Sequence, residues 1–381
     1  MEKDMGPLKG IKIVEMGGIG PGPFCAQMLS DMGAEVIRID RKGGSDYLVE
    51  AKYNVLHRGR RSIAIDLKST EAIGTLLRLI KNADGLIEGY RPGVMERLGL
   101  GPQECMKQNP KLVYGRMTGW GQEGPLSKSA GHDINYIALT GALNSMGEKN
   151  GKPLIPLNLV GDFGGGGIFL AFGLVCGLLE AKNSGIGQVV DAAMVDGASS
   201  LMGVFFGLKA AGLWKEKRGT NILDGGAHFY NTYETLDKKW ISIGSIEPQF
   251  YKILLKKAGI IDPEFYNQMD MNSWQALKKK LKIIFKTKTR DEWCLLMENT
   301  DICFAPVLSM AEAKDHPHMK ARNTIINFNG FPQPAPAPRF SRTTPEIQGP
   351  PPEIGEHSET ILKDWGFNKT EIMELKKDQI I

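Results

Sequence analysis

Two short stretches, 131–136 and 158–167, carry the side chains best suited to acid–base chemistry. Gly131-His132-Asp133-Ile134-Asn135-Tyr136 offers an imidazole at the start of an apolar segment. Asn158-Leu159-Val160-Gly161-Asp162 offers a carboxylate, followed by Phe163 and the glycines Gly164 to Gly167. Two bases of different type, each at the end of an element, suit a reaction in which one proton is removed and another delivered. A histidine entering an apolar helix also has a purely structural reading, and Asp133 reads first as an N-cap. For Asp162 two readings stand level: an N-cap, or a carboxylate beside amides free to bind an oxyanion at a helix N-terminus. Glu247, just ahead of Pro248 at a helix start, reads as dipole compensation.

The elements that must position these residues follow from periodicity. Ile11–Met16 alternates into a strand, Gly17–Pro23 turns the chain, and a helix follows from about Phe24 to Met32. Glu35–Ile39 is a second strand, ending in Asp40-Arg41. The turn mimics a dinucleotide-binding loop, but it lacks the third glycine, and Pro21 and Pro23 remove amides that would cradle a pyrophosphate. A tight βα turn is the better reading. Strands at 62–67, 85–88 and 112–117 then alternate with helices at 70–82, 94–98 and after Pro102. That order predicts an α/β, Rossmann-like domain with a mostly parallel sheet, whose ligands bind beyond the carboxyl ends of the strands. Arg41, Tyr90-Arg91 and Thr118–Gly121 lie on that edge. Further on, helices are expected from His132 to about Leu143, from the end of the glycine run after Asp162 to about Leu179 and from Ala193 to Leu213, with a strand at 188–191.

From Phe229 the character changes. Strands at 230–235 and 240–244 and Lys- and Trp-rich amphipathic helices read as a smaller α+β domain. Residues 331–352 are proline-rich and extended, and helices at 358–365 and 369–377 close the chain. The expected organisation is a large domain over 1–195, a linker over 196–227, a small domain over 228–325, and a return segment over 326–381 that completes the large domain.

Composition narrows the function classes. A net charge of +4 over 381 residues, with no aromatics interleaved among the cations, argues against nucleic acid. The main basic concentration, Arg58, Arg60 and Arg61 with Arg38, Arg41, Lys68, Arg91 and Arg97, reads as a solvated face or a site for a phosphate-rich ligand. Five scattered cysteines with no C-x-x-C predict neither a disulfide framework nor a metal site, and His316-Pro317-His318 lacks ligands at metal spacing. The apolar run 168–179 is shorter than a bilayer span and reads as a core helix. With no apolar leader in Met1–Pro7 and no peroxisomal address at the end, the expectation is a cytoplasmic protein that engages no membrane.

Stretches spread along nearly the whole chain carry a resemblance. They include GIGPGPFCA (18–26), EGYRPGVMERLGLGP (88–102), TGWGQ (118–122), GHDINYIAL (131–139), PLNLVGDFGGGG (156–167), GQVVDAAMVDG (187–197), IEPQFY (246–251) and PAPRFSRT (336–343). They resemble the family III CoA-transferase fold group, and within it the branch that racemises 2-methylacyl-CoA thioesters. The resemblance implies that His132 and Asp162 are the two catalytic bases and that Glu247 orients or tunes the histidine. It implies that Arg41, Lys68 and Arg97 meet the nucleotide end of CoA, and Asp133 and Tyr136 are taken as further substrate contacts. It also implies an interlocked homodimer whose active site lies between the large domain of one subunit and the small domain of the other. No separate cofactor is implied, since CoA belongs to the substrate. The amides around Asp162 and the glycine run are the expected holders of an enolate oxygen. The rival within the group is CoA transfer with Asp162 as nucleophile, which the histidine of GHDINY disfavours; a CoA-binding protein without catalysis is a third reading. Bile-acid intermediates, branched fatty acids and alkylsuccinyl-type thioesters all remain open as acyl groups. Members of the resembled group also work in mitochondria and peroxisomes.

Overall fold

The structure, a computed structural model, describes residues 6–44 and 49–381; Met1–Met5, on which much of the leader expectation rests, lie outside it. Residues group into two compact units. The first comprises the chain up to Thr140, Leu157–Leu201 and Ile325–Ile381, and the second Gly141–Pro156 with Met202–Thr324.

In the first unit, strands β1 (Lys12–Met16), β2 (Glu35–Arg41), β3 (Arg60–Ile65), β4 (Gly85–Glu88), β5 (Val113–Thr118) and β6 (Val189–Ala193) form one parallel sheet in the order β3-β2-β1-β4-β5-β6. Both faces are covered, and the strands mix buried apolar residues with charged ones, as in the β2 sequence EVIRIDR. Alternate residues supply the two layers. Val14, Ile37, Ile39 and Ile63 pack under helix α2 (Thr70–Lys81) and the helices Ser358–Asp364 and Lys369–Lys377, through Leu76, Leu79, Ile361, Trp365 and Leu375. Ile13, Val36, Ile87 and Val113 pack under helix α1 (Pro21–Asp31) and the helix Ile168–Ser184, through Cys25, Leu29, Leu170 and Leu174. Each such side chain, fully buried, contributes about 1.5–3 kcal/mol. Helices α3 (Val94–Arg97) and α4 (Pro102–Gln108) link β4 to β5, and α5 (Asp133–Leu139) follows β5. Strand order reverses between β1 and β4, which opens a crevice at the carboxyl ends of the strands.

The sequence reading differs from the structure in instructive places. The helix expected to follow the glycine run begins earlier, at Leu159: the stretch Leu159–Gly167, with Asp162 and the glycines inside it, is π-helical and runs into the α-helix Ile168–Ser184. The glycines permit this widened turn to press on its neighbour: a β-carbon on Gly165 would lie 2.6 Å from the Ala198 amide nitrogen, and one on Gly197 only 1.8 Å from the Gly165 carbonyl. The continuous helix Leu159–Ser184 is long and apolar enough to cross a bilayer by length and composition, which the shorter run at 168–179 did not suggest. One face is nonetheless core, with Leu170, Ala171, Leu174, Gly177 and Ala181 buried. The stretch expected as one helix to Leu143 ends at Leu139, because Gly141 adopts a left-handed conformation at φ +83°. The long helix expected over 193–213 is two helices, Met194–Leu201 and Gly203–Ala210, assigned to different units.

The second unit is an antiparallel sheet of Tyr230–Glu234, Trp240–Gly244 and Phe304–Val307. The helices Pro248–Ala258, Trp274–Phe285 and Arg290–Met297 bury Leu254, Leu277, Leu281 and Trp293 against Phe229, Tyr233 and Ile241. The third strand, too short to show an alternating pattern, escapes the sequence reading. The loop 141–156, expected within the large domain, groups with this unit, where Arg218 binds the Asn144 carbonyl at 2.9 Å and the Gly151 carbonyl at 2.8 Å.

Candidate active site

The crevice at the strand ends of the first unit widens into a cleft of about 500 Å³. Its walls are the turn Gly18–Pro23 after β1, the loop Gly89–Pro92 after β4, Met117–Trp120 at the end of β5, and His132, Tyr136 and Asp162. The two bases singled out from sequence therefore share one cavity.

Each base is anchored by its backbone. The His132 N–H donates to Asn135 Oδ1 at 3.0 Å, and the Tyr136 hydroxyl donates to the Gly131 carbonyl. The Tyr136 ring fits only because Gly119 and Gly131 flank it, since a β-carbon on either would come within 2.1 or 2.7 Å of the ring. Trp120 meets that ring edge-on at 4.8 Å. The Asp162 N–H donates to Asp133 Oδ1 at 2.6 Å, and Asn158 Nδ2 donates to Asp162 Oδ2 at 3.1 Å. Asp162 Oδ1 has no hydrogen-bond partner among the described residues. Burial raises the Asp162 carboxyl above the ordinary range; the Asn158 bond opposes this, the Asp133 charge adds to it, and His132 lowers it. Burial likewise raises the Tyr136 phenol, with the charge of Asp162 next in effect.

Three expectations need correction. Asp133 is neither an N-cap nor a cleft residue: His132 caps α5, and Asp133 is buried against the Asp162 amide. The amides of Asp162 and the glycine run are not free donors at a helix start, because Asp162 lies inside a helix and its N–H is taken. Half of the basic concentration, Arg38, Arg58, Arg60 and Arg61, is tied into ion pairs within the protein. Arg58 is 1 % exposed and binds both oxygens of Asp31, at 2.6 and 3.2 Å, with Gln333 and the Pro334 carbonyl. Arg60 pairs with fully buried Glu15 at 3.1 Å, and Arg38 pairs with Asp40 and His57. Burial, reinforced by Arg38 and Arg60, pushes His57 down to about 2.

Arg41, Lys68 and Arg97 behave differently. They are exposed, at the end of β2, just past β3 and at the end of α3, and with Arg91 of the cleft wall they carry no ion pair or side-chain hydrogen bond among the described residues. Sequence reasoning missed what holds two of them in place. Fully buried Glu88 accepts the Tyr90 N–H at 2.8 Å and binds Arg116 at 2.8 Å, while Arg116 also binds Glu96 at 2.8 Å. This fixes the loop bearing Arg91 and the helix bearing Arg97. The signal was available: Glu88 and Arg116 are charges inside otherwise apolar parallel strands. Glu247 stands in the second unit, exposed at the N-cap of the helix Pro248–Ala258, with no side-chain capping bond. Gln268 holds the residues before it, donating to the Ser245 and Ile246 carbonyls, both at 2.9 Å.

The profile of CoA-transferase family III matches residues 8–358. The chain belongs to this family. Among its relatives, the alpha-methylacyl-CoA racemase of Mus musculus is 45% identical over 377 residues, covering 98% of this chain and 97% of that protein. The alpha-methylacyl-CoA racemase of Homo sapiens is 44% identical over 379 residues, with the same coverage of 98% and 97%. Among solved structures, a CAIB/BAIF family protein from Brucella suis superposes with a TM-score of 0.82 at 26% identity, covering 95% of this chain and 100% of that one. The family III fold thus accounts for the whole layout of the sheet and its cleft. Among the described residues no cluster of three or more His, Cys, Asp or Glu could hold a metal.

Proposed function

We propose that this family III chain interconverts (2R)- and (2S)-2-methylacyl-CoA thioesters by 1,1-proton transfer. The observation that carries the reading is that His132 and Asp162 line one cleft while Asp162 Oδ1 stays without a partner among the described residues, ready to give or take a proton. The naming of the mouse and human relatives supports it. A thioester acidifies its α-hydrogen because the carbanion delocalises as an enolate. One base removes the proton from one face, and the conjugate acid of the other returns a proton to the opposite face. The raised carboxyl of Asp162 suits this work, since a base poised nearer neutrality exchanges protons more readily.

Arg41, Lys68 and Arg97, with Arg91, take the phosphates of CoA, and that remote binding positions the thioester. No separate cofactor is needed. The working form in this reading is a homodimer in which Glu247 of a second copy approaches His132 and orients it. The exposed apolar stripe Ile168, Phe172, Val175 and Leu179 of the long helix supports a self-associating surface. The second reading, CoA transfer with Asp162 as nucleophile, draws on the same free Oδ1.

The deciding experiment uses one pure enantiomer of a 2-methylacyl-CoA in deuterated water, without an acceptor acid. α-Deuterium incorporation with approach to a near-equal R/S mixture is the expected result. An α-hydrogen that stays in place until a free carboxylic acid is added, followed by movement of CoA, would replace racemisation with transfer.

A further inference from the structure

Asp133 follows His132 directly in the chain, yet it takes no part in lining the cleft. Its residue is only 6 % exposed, and Oδ2 is buried without a hydrogen-bond partner among the described residues. Leaving a carboxylate oxygen unpaired in the interior costs stability, so the bond that Asp133 does make calls for a reason. That bond runs from the Asp162 backbone N–H to Asp133 Oδ1 at 2.6 Å. The contact also depends on Gly161, where a β-carbon would stand 2.4 Å from the same oxygen.

We propose that Asp133 is a positioning residue for the reaction, a strut that ties the backbone of Asp162 to the neighbour of His132 and so fixes the separation of the two bases. The proposal rests on the two-base reading given above. Inversion needs both bases within reach of one carbon from opposite faces, whereas exchange without inversion needs only one. The His132 backbone has its own tethers, its N–H donating to Asn135 Oδ1 and its carbonyl accepting from the Tyr136 N–H, so loss of the strut displaces Asp162 alone. Among the described residues, the titratable groups facing Asp162 are His132, Asp133 and Tyr136 of the α5 segment, with Arg91 in the same cleft wall acting on Tyr136; uncharged Asn158, the N-cap of Asp162's own helix, and Gly20 of the β1 turn complete its surroundings.

The test uses full-length Asp133→Ala and Asp133→Asn with one enantiomer of a 2-methylacyl-CoA in deuterated water, following deuterium incorporation by NMR and inversion by chiral separation. For Asp133→Ala the expected result is inversion slowed about 100-fold, the cost of a misplacement of about 1 Å, with KM within about threefold. Exchange should fall less than inversion. Asp133→Asn keeps an acceptor oxygen for the Asp162 amide, so its exchange-to-inversion ratio should stay within about twofold of wild type. Exchange and inversion falling in parallel in the alanine variant, or inversion left intact, would overturn the strut. If the alanine variant does not fold, the asparagine variant decides alone: a ratio near wild type supports the strut, and a roughly tenfold change overturns it. Asp162→Ala keeps the two questions separate, because inversion surviving there removes the two-base reading whatever Asp133 does.

Discussion

Two sets of cations in the first unit share residue types and lie close in sequence, but their surroundings are opposite. Arg38, Arg58, Arg60 and Arg116 are buried and bound to carboxylates or carbonyls. Arg41, Lys68, Arg91 and Arg97 are exposed and unpaired among the described residues. Arg38 and Arg41 sit on one strand, β2, three positions apart. For Arg38, Arg60 and Arg116 against Arg41 and Lys68, the difference is where the strand stops. A cation inside a parallel strand covered on both faces must find its partner within the protein. A cation on the last residue, or just past it, emerges on the edge where such sheets bind ligands. A concentration of arginine in sequence therefore says little about a ligand until it is divided by position along the strands.

Breaking the interior set should have the largest effect. Arg60→Ala strands the fully buried Glu15 carboxylate without its partner, and the expected loss is about 3–5 kcal/mol of folding stability, read from urea unfolding. A loss below about 1 kcal/mol would place Arg60 in the same class as the exposed set. Replacing both members together, Arg60→Met with Glu15→Leu, should recover much of the loss, because an apolar pair needs no desolvation of charge.

The exposed set should respond the other way round. Arg97→Ala or Arg41→Ala should leave the unfolding midpoint unchanged while raising KM for the acyl-CoA about tenfold each, roughly 1.4 kcal/mol of lost charge-assisted binding. A drop in kcat at constant KM would move these residues from binding to the reaction itself. Salt separates the sets further and more gently. Raising ionic strength from about 0.05 to about 0.3 M should weaken acyl-CoA binding several-fold, because exposed charges are screened, and leave the interior pairs nearly untouched. A triple variant of Arg41, Lys68 and Arg97 should flatten that dependence; a dependence that survived intact would locate the phosphates elsewhere.

The same division explains what sequence could reveal. Alternation made the strands and most helices of the sheet visible, and the types and chain positions of His132 and Asp162 marked both as candidate bases that prove to line one cleft. Asp133 was misread because its partner is a backbone amide in another segment, and no spacing rule encodes that contact. The π-helical turn at Leu159–Gly167 was hidden for a related reason. The glycines there relieve a steric clash with Gly197 and Ala198, which are remote in sequence, and in a linear reading they resemble a helix start. Residue type marks chemistry that a side chain can do, whereas its environment depends on contacts made after folding.

Asp162 is the acidic counterpart of the unpaired cations: a charge the fold leaves without full neutralisation. Burial raises its carboxyl, so the folded chain holds this proton more tightly than the unfolded chain does. The stability contributed by the protonated form is complete below the ordinary carboxylate value of about 3.9 and is lost as pH rises through the raised folded value. Asp162→Asn never ionises. The variant should therefore gain on wild type as pH climbs through that window, with the gain level above it, measured as paired urea midpoints from about pH 4 to 8. This is the smallest of the expected effects, because Asn158 and His132 both oppose the shift. The opposite trend, with wild type gaining as pH rises, would mean that attraction to His132 outweighs burial. Asp162 would then rest as a bare carboxylate, which is the state an attacking nucleophile needs, and the balance would tilt from proton transfer toward CoA transfer.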